Sequence, residues 1–218
     1  MGIKKSDMQL KQDIEAELLW DPRVNAAQIG VSVDKGVVSL LGAVDNYAEK
    51  LAAEAATKRV AGVRTVAQDL TVKLRGEHQR TDAEIAATVD SVLKWDVFIP
   101  SSVRASVREG TVTLEGEAVW QFQRDAARSA VRNIVGVVGV LTAISIKPGA
   151  SVSVVKEKVE AALHRLASAD AKSIHVETSG GKVTLNGTAS SWRSMEDASH
   201  AAWAAPGVTS VVDNLKVH

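Results

Sequence analysis

Three arginines are spaced so that they could bind anions together. Arg124, Arg128 and Arg132 recur at every fourth position, and this spacing places them on one face of an α-helix. Such a basic stripe suits the anionic headgroups of a phospholipid membrane, where each basic residue near the surface contributes roughly 1 kcal/mol. The alternative is an ordinary solvated helix face, with Asp125 as a neutralising neighbour.

Aromatic and apolar residues precede this basic stripe in the sequence. Trp95, Val97 and Phe98 lie in one short apolar segment, and Trp120 and Phe122 follow later in the chain. If these five residues are exposed together, they form an aromatic patch that would mark an interaction surface. The alternative for Trp95 is that it pins the end of a helix to the core.

The sequence offers no candidate residues for disulfide formation, metal binding or catalysis. The 218 residues include no cysteine, which excludes disulfides and thiolate metal sites. The five histidines form no metal-ligand pair, and neither a nucleophile elbow nor a phosphate-binding glycine loop is present. The sequence therefore predicts a protein that is not an enzyme, with no catalytic residue, metal, cofactor or small-molecule substrate.

The charge balance and the apolar segments limit the partners and the compartment. Lysine and arginine number 26, as do aspartate and glutamate, and this zero net charge argues against a nucleic-acid partner, which a basic surface would bind. No apolar run approaches the length of a membrane-spanning helix, and the first residues lack the apolar region of a secretory signal. These features predict a cytoplasmic chain.

One short pattern recurs three times and organises the rest of the chain. Residues 36–42, 110–116 and 181–187 each have glycine at both ends and apolar side chains at alternate positions between them. A period of two indicates a strand with one apolar face. A threefold repeat of this length predicts three small domains, which we place at residues 6–74, 81–147 and 151–218.

Each repeat reads as helix, strand, strand, helix and strand, an α+β arrangement written αββαβ. Leu10, Ile14 and Leu18 form the apolar stripe of the first helix. The second helices are expected over residues 45–60, 119–134 and 191–205, and the glycine before each second strand is expected in a tight hairpin turn. We expect nine structural glycines: Gly36, Gly42, Gly62, Gly110, Gly116, Gly136, Gly181, Gly187 and Gly207.

Equivalent positions of the repeats separate core from surface. Trp203 aligns with Lys58 and Arg132, so it occupies a position that is typical of the solvated face of this helix. We favour packing of the indole against a neighbouring repeat, and contact with a membrane interface or a partner is the alternative. Phe98 aligns with Arg23, and this exchange of a cation for a ring is typical of a surface position.

The recurring pattern resembles the BON domain. The pattern begins with a strand of the form Gly-x-Val-x-Leu-x-Gly, and a Gly-Val pair starts 20 residues after the last glycine of that strand. The pattern ends with a valine that is followed by an acid or amide, a leucine and a further valine. The second repeat departs from this pattern at Ala143. In the first repeat the resemblance is carried by Gly36, Val38, Leu40, Gly42, Gly62, Val63, Val66, Asp69, Leu70 and Val72.

The resemblance implies a three-stranded sheet with two helices packed on one face and no known catalytic activity. It also implies that the protein binds phospholipid or attaches to membranes, and that it acts in envelope stress. By this resemblance, the periplasm is the alternative to a cytoplasmic location. We therefore expect a bacterial protein that binds anionic phospholipid, a membrane surface or envelope-associated partners during osmotic or envelope stress. The alternative is a soluble scaffold that binds proteins or self-associates as a homo-oligomer.

Overall fold

The computed structural model describes residues 5–147, 155–165 and 173–217. The sequence predicts Ser151 as the cap of the first helix of the third repeat, and this residue lies outside the described ranges. The helices are α1 (Asp7–Trp20), α2 (Tyr47–Arg59), α3 (Asp82–Trp95), α4 (Gln121–Val131), α5 (Val155–Arg165) and α6 (Trp192–Trp203). The strands are β1 (Ile29–Asp34), β2 (Val37–Val44), β3 (Thr65–Val72), β4 (Arg104–Arg108), β5 (Thr111–Ala118), β6 (Gly139–Ile146), β7 (Ile174–Ser179), β8 (Lys182–Ala189) and β9 (Ser210–Val217).

Each repeat contributes one three-stranded sheet, in the orders β1-β2-β3, β4-β5-β6 and β7-β8-β9. In the first repeat, β2 is antiparallel to β1 and parallel to β3. The third repeat has the same arrangement around β8. A parallel pair cannot be joined by a hairpin, so α2 and α6 serve as the crossover connections. The predicted α+β fold of three repeated units is confirmed.

The first repeat buries both of its helices against one face of its sheet. Leu10, Ile14 and Leu18 of α1 belong to the same buried cluster as Val38 and Leu40 of β2, and alanines of α2 complete this cluster. Since alternate residues of a strand share a face, the two helices cover the same side. The third repeat has an equivalent core between α5, α6 and β8.

By their contacts, the residues fall into two compact units. Among the described residues, the first unit comprises those up to Val89 with residues 107–112 and 131–140, and the second comprises those within 90–106, 113–130 and 141–217. The second repeat therefore contributes to both units. Its buried hydrophobic residues are Ile85, Val89, Leu93, Val103, Val112, Leu114, Ala118, Ala127, Val131, Val137, Ile144 and Ile146.

The glycine predicted to close each second strand lies inside it instead. Strand β2 continues two residues beyond Gly42, to Val44. Gly42 has a φ of 131°, which other residues rarely adopt, and a Cβ atom there would overlap the carbonyl oxygen of Gln28. Gly116 and Gly187 repeat this geometry, so the position requires glycine because the neighbouring backbone approaches it closely.

The helix that carries the basic stripe is shorter than predicted. Helix α4 ends at Val131 because the chain then makes two successive tight turns. In these turns Ile134 N donates to Val131 O at 3.2 Å, and Val137 N donates to Ile134 O at 3.2 Å. Arg132 therefore follows the helix and does not form part of its last turn.

Candidate functional site

Two phenylalanines of the predicted aromatic patch contact each other at the surface. The ring centroids of Phe98 and Phe122 lie 5.9 Å apart with an interplanar angle of 84°, an edge-to-face geometry that aromatic pairs favour. Phe98 is 59% exposed and Phe122 is 52% exposed. The pair is thus held together while about half of each side chain still meets water.

The turn after α3 fixes the position of Phe98. Phe98 N donates to Asp96 Oδ1 at 2.9 Å, and Ile99 N donates to Asp96 O at 3.1 Å. An aspartate that bonds the backbone two residues later stabilises a turn of this kind. The ring is therefore presented by an ordered segment.

The remaining residues of the aromatic patch are also exposed. Trp95 is 82% exposed and Val97 is 90% exposed. Trp120 is the most covered of the five, and Gln123 Oε1 accepts from its backbone N–H at 3.1 Å. The alternative that Trp95 pins the helix end to the core is wrong, because the indole lies in solvent, as does that of Trp20 in the first repeat.

The basic stripe divides into two exposed arginines and one covered arginine. Arg128 and Arg132 are exposed, and neither takes part in the ion pairs found among the described residues. Arg124 is partly buried, and its Cζ lies 5.1 Å from the centroid of the Trp203 ring. Two guanidinium groups of the stripe therefore remain available to an anionic surface.

Trp203 is partly covered by a neighbouring repeat. It is partly buried and packs against the core of the third repeat, and Arg124 of the second repeat covers its ring. This contact is of the kind that packing against a neighbouring repeat implies, and contact of Trp203 with a membrane interface or a partner stays a prediction. The alignment with Lys58 and Arg132 compares positions within single repeats, so it could not predict which residue of another repeat contacts Trp203.

The first repeat has an ion cluster at the place where the second has its aromatic patch. Asp21 is buried, and its Oδ2 lies 2.7 Å from Arg23 Nη2 and 3.1 Å from Arg59 Nη2. Arg59 also contacts Glu17. The side-chain hydrogen bond from Arg23 is the largest of the effects that hold the pKa of Asp21 well below its usual range, and Arg59 adds to it.

Sequence reasoning did not find this cluster. Asp21 and Arg23 are two residues apart, but Arg59 follows Asp21 by 38 residues and no local pattern joins them. An alignment of the repeats could have indicated the cluster, because both of its arginines are absent from the second repeat. Arg23 and Arg59 of the first repeat correspond to Phe98 and Asn133 of the second.

No group of side chains that could hold a metal ion occurs within residues 5–147, 155–165 and 173–217. Over the same part of the chain, no helix has both the length and the apolar character of a membrane-spanning segment.

Comparison with known proteins identifies the repeats. The model of the BON domain matches residues 6–73, 81–148 and 151–218. The chain is 28% identical over 142 residues to osmotically-inducible protein Y of Escherichia coli strain K12, an alignment that covers 63% of this chain and 71% of that protein. Among solved structures, the type III secretion protein CdsD of Chlamydia trachomatis is 15% identical, with a TM-score of 0.26 over 95% of this chain and 91% of that one. The C-terminal domain of CdsD is 14% identical, with a TM-score of 0.27 over 98% and 100%. With three matches that span nearly all of its residues, this chain belongs to the BON domain family.

Proposed function

We propose that the chain attaches to the anionic surface of a phospholipid membrane through the aromatic patch of its second repeat, in a bacterial response to osmotic or envelope stress. Membership of the BON family and similarity to a protein named for osmotic induction support the stress role. Both the cytoplasmic placement predicted from the sequence and the periplasmic one implied by resemblance would bring the chain to such a surface, and both stay predictions.

The exposed Phe98–Phe122 pair is the observation that carries the proposal. Full burial of a phenylalanine side chain gains roughly 1.5–3 kcal/mol, and each of these rings is already about half covered. Transfer of the pair into the interface of a bilayer would therefore gain about 1 kcal/mol or more per ring. Trp95 adds an indole, which suits the boundary between headgroups and acyl chains.

The patch is ordered before any lipid arrives. Asp96 fixes the turn that carries Phe98, and Gln123 Oε1 accepts from the backbone N–H groups of Val119 and Trp120 at 2.9 Å and 3.1 Å. A surface that is already rigid loses little conformational entropy on binding. This order favours insertion of the aromatic patch over the adaptation of a mobile loop.

Arg128, which belongs to the same compact unit as the aromatic patch, provides the attraction to anionic headgroups. Each exposed basic residue contributes roughly 1 kcal/mol close to such a surface, an effect that falls off within a Debye length. Combined with a few half-inserted apolar side chains, this amounts to reversible peripheral binding and not to permanent anchoring. The proposed interaction is therefore sensitive to salt and to the anionic content of the membrane.

Co-sedimentation of the full chain with phosphatidylglycerol vesicles at low salt tests the proposal, with phosphatidylcholine vesicles as the comparison. We expect binding to the anionic vesicles, and a five- to tenfold loss for Phe98→Ala because about 1–1.4 kcal/mol of apolar transfer disappears. Trp120→Ala should lose less, about threefold, because its side chain is more covered. Arg23→Ala, at the equivalent position of the first repeat, is the matched control and should leave binding unchanged.

Absence of binding at low salt to either kind of vesicle would rule out the proposal. Equal binding by the wild type and by Phe98→Ala would show that another surface meets the lipid. Light scattering on the same samples tests the soluble-scaffold alternative. That alternative predicts a homo-oligomer that forms without vesicles and does not sediment with them.

A further inference from the structure

One arginine of the basic stripe is held against a different repeat. Arg124 belongs to α4 and Trp203 is the last residue of α6, and both lie in the same compact unit. The guanidinium carbon lies 5.1 Å from the centroid of the indole ring, within the range of a cation–π interaction. Burial is the largest of the effects on the pKa of Arg124, which lies below its ordinary value.

The equivalent residues of the other repeats contact their own repeat. In the first repeat, Lys50 Nζ donates to Leu70 O of its own sheet at 2.7 Å. In the third, Met195 packs against its own core. The contact of Arg124 with Trp203 is therefore a feature of this chain's particular residues and does not follow from the shared fold.

Arg124 is the covered member of the basic stripe. Arg128 and Arg132 of the same basic stripe are exposed, whereas the Trp203 ring covers Arg124. We propose that the Arg124–Trp203 contact is an autoinhibitory latch, which withholds one of the three arginines from the anionic surface until the contact opens. This inference rests on the proposed function of the second repeat.

The helix that carries Arg124 also has an unsatisfied polar atom. Gln121 lies one helical turn before Arg124 and shares its face of α4. Within the part of the chain that the structure describes, Gln121 Oε1 is one of the two buried side-chain atoms without a hydrogen-bond partner. A buried unsatisfied acceptor is unfavourable. Phosphate oxygens at a membrane would also give Arg124 charge-assisted hydrogen bonds in place of the indole.

The first test compares two arginines of the same helix, with the full chain and phosphatidylglycerol vesicles at low salt. Arg128→Gln removes an exposed charge and should weaken binding about fivefold, the effect of one basic residue near an anionic surface. Arg124→Gln should weaken binding less than twofold, because the latch already withholds that charge. Equal losses for the two variants would overturn the latch.

The second test opens the latch while it keeps the apolar packing of the third repeat. Trp203→Leu removes the ring face but retains a large side chain against the core, and it should strengthen vesicle binding about fivefold. Added to Arg124→Gln, it should produce no gain. A gain that survives in the double variant, or no gain in the single one, would overturn the latch. If the wild type and all variants fail to bind vesicles, the proposed function is wrong. That result differs from failure of the latch alone, in which the wild type still binds.

Discussion

After their first helices, repeats one and two make the same backbone turn but place different residues on it. Asp21 Oδ1 accepts from Arg23 N at 3.1 Å, and Asp96 Oδ1 accepts from Phe98 N at 2.9 Å. In both turns the aspartate bonds the backbone two residues later. The path of the main chain is therefore retained, and the difference lies in the side chain that the turn displays.

That side chain decides what the surface can do. Arg23 folds back onto its aspartate, with Nε at 2.9 Å from Asp21 Oδ1, and Arg59 joins the pair. Phe98 instead extends to the ring of Phe122. The same turn can therefore carry an ion cluster or an exposed apolar surface. The residue two positions after the common aspartate, Arg23 or Phe98, decides which of the two is present.

The largest expected difference between the two turns concerns stability. Asp21→Ala should destabilise the first repeat by about 1–3 kcal/mol, because it removes a buried acceptor shared by two arginines. Asp96→Ala should cost the second repeat only about 0.5–1.5 kcal/mol, since it removes one backbone hydrogen bond. Native-state hydrogen exchange, read separately for residues 5–73 and 81–147, measures each effect without assuming that the whole chain unfolds in one step.

The expected cost for Asp21 stays below that of a fully buried ion pair because both arginines can turn to water. The side chain of Arg23 is 64% exposed and that of Arg59 is 46% exposed, so neither becomes a stranded buried charge. Arg23→Ala separates the two contributions, because it leaves the Asp21–Arg59 pair intact. Equal destabilisation by Asp21→Ala and Asp96→Ala would mean that the turn alone matters and that the ion cluster adds nothing.

The periodic spacing of apolar residues within each repeat predicted most of the fold. The alternation of Val38 and Leu40 and the four-residue spacing of Leu10, Ile14 and Leu18 predicted the residues that are buried. These local patterns are reliable because one amphipathic face must be covered in each element. The requirement for glycine at Gly42 was predicted, but its physical reason, the approach of Gln28 O, depends on the pairing of two strands.

The surface was predicted less completely, because it depends on contacts between distant segments. Comparison of repeats marked Phe98 as a surface residue and the structure exposes it. The same comparison could not identify the partner of Trp203, since the side chain over its ring comes from another repeat. The carboxylate of Asp7, which accepts from the backbone N–H groups of Lys35 and Gly36, also had no signal in the local sequence.

Two equivalent tryptophans allow the first and second repeats to be compared in vesicle binding. Trp20 and Trp95 hold equivalent positions and are both 82% exposed, so exposure alone would give them equal roles. If the second repeat is the surface that meets lipid, Trp95→Ala should weaken vesicle binding about tenfold, roughly 1.4 kcal/mol. Trp20→Ala should leave binding unchanged in the same co-sedimentation measurement. Equal losses would assign lipid binding to both repeats and would end the distinction between the two turns.

The smallest expected effect is the pH dependence that the ion cluster gives to the first repeat. The folded-state pKa of Asp21 is lowered, chiefly by its hydrogen bond from Arg23. The carboxylate therefore stabilises the folded repeat above its unfolded pKa of about 3.9, and this stabilisation is lost as the pH falls from about 4 towards the folded pKa. One proton taken up on unfolding corresponds to a slope of at most about 1.4 kcal/mol per pH unit.

Asp21→Asn isolates this slope from the titration of the other carboxylates. The variant keeps the shape of the side chain but cannot ionise, so the stability of its first repeat should fall less steeply between pH 4 and pH 3. Hydrogen exchange of residues 5–73, corrected for intrinsic exchange rates at each pH, provides the measurement. If the variant and the wild type lose stability in parallel, the carboxylate of Asp21 is not the group that titrates. The ion cluster would then differ from the turn of the second repeat in geometry but not in energy.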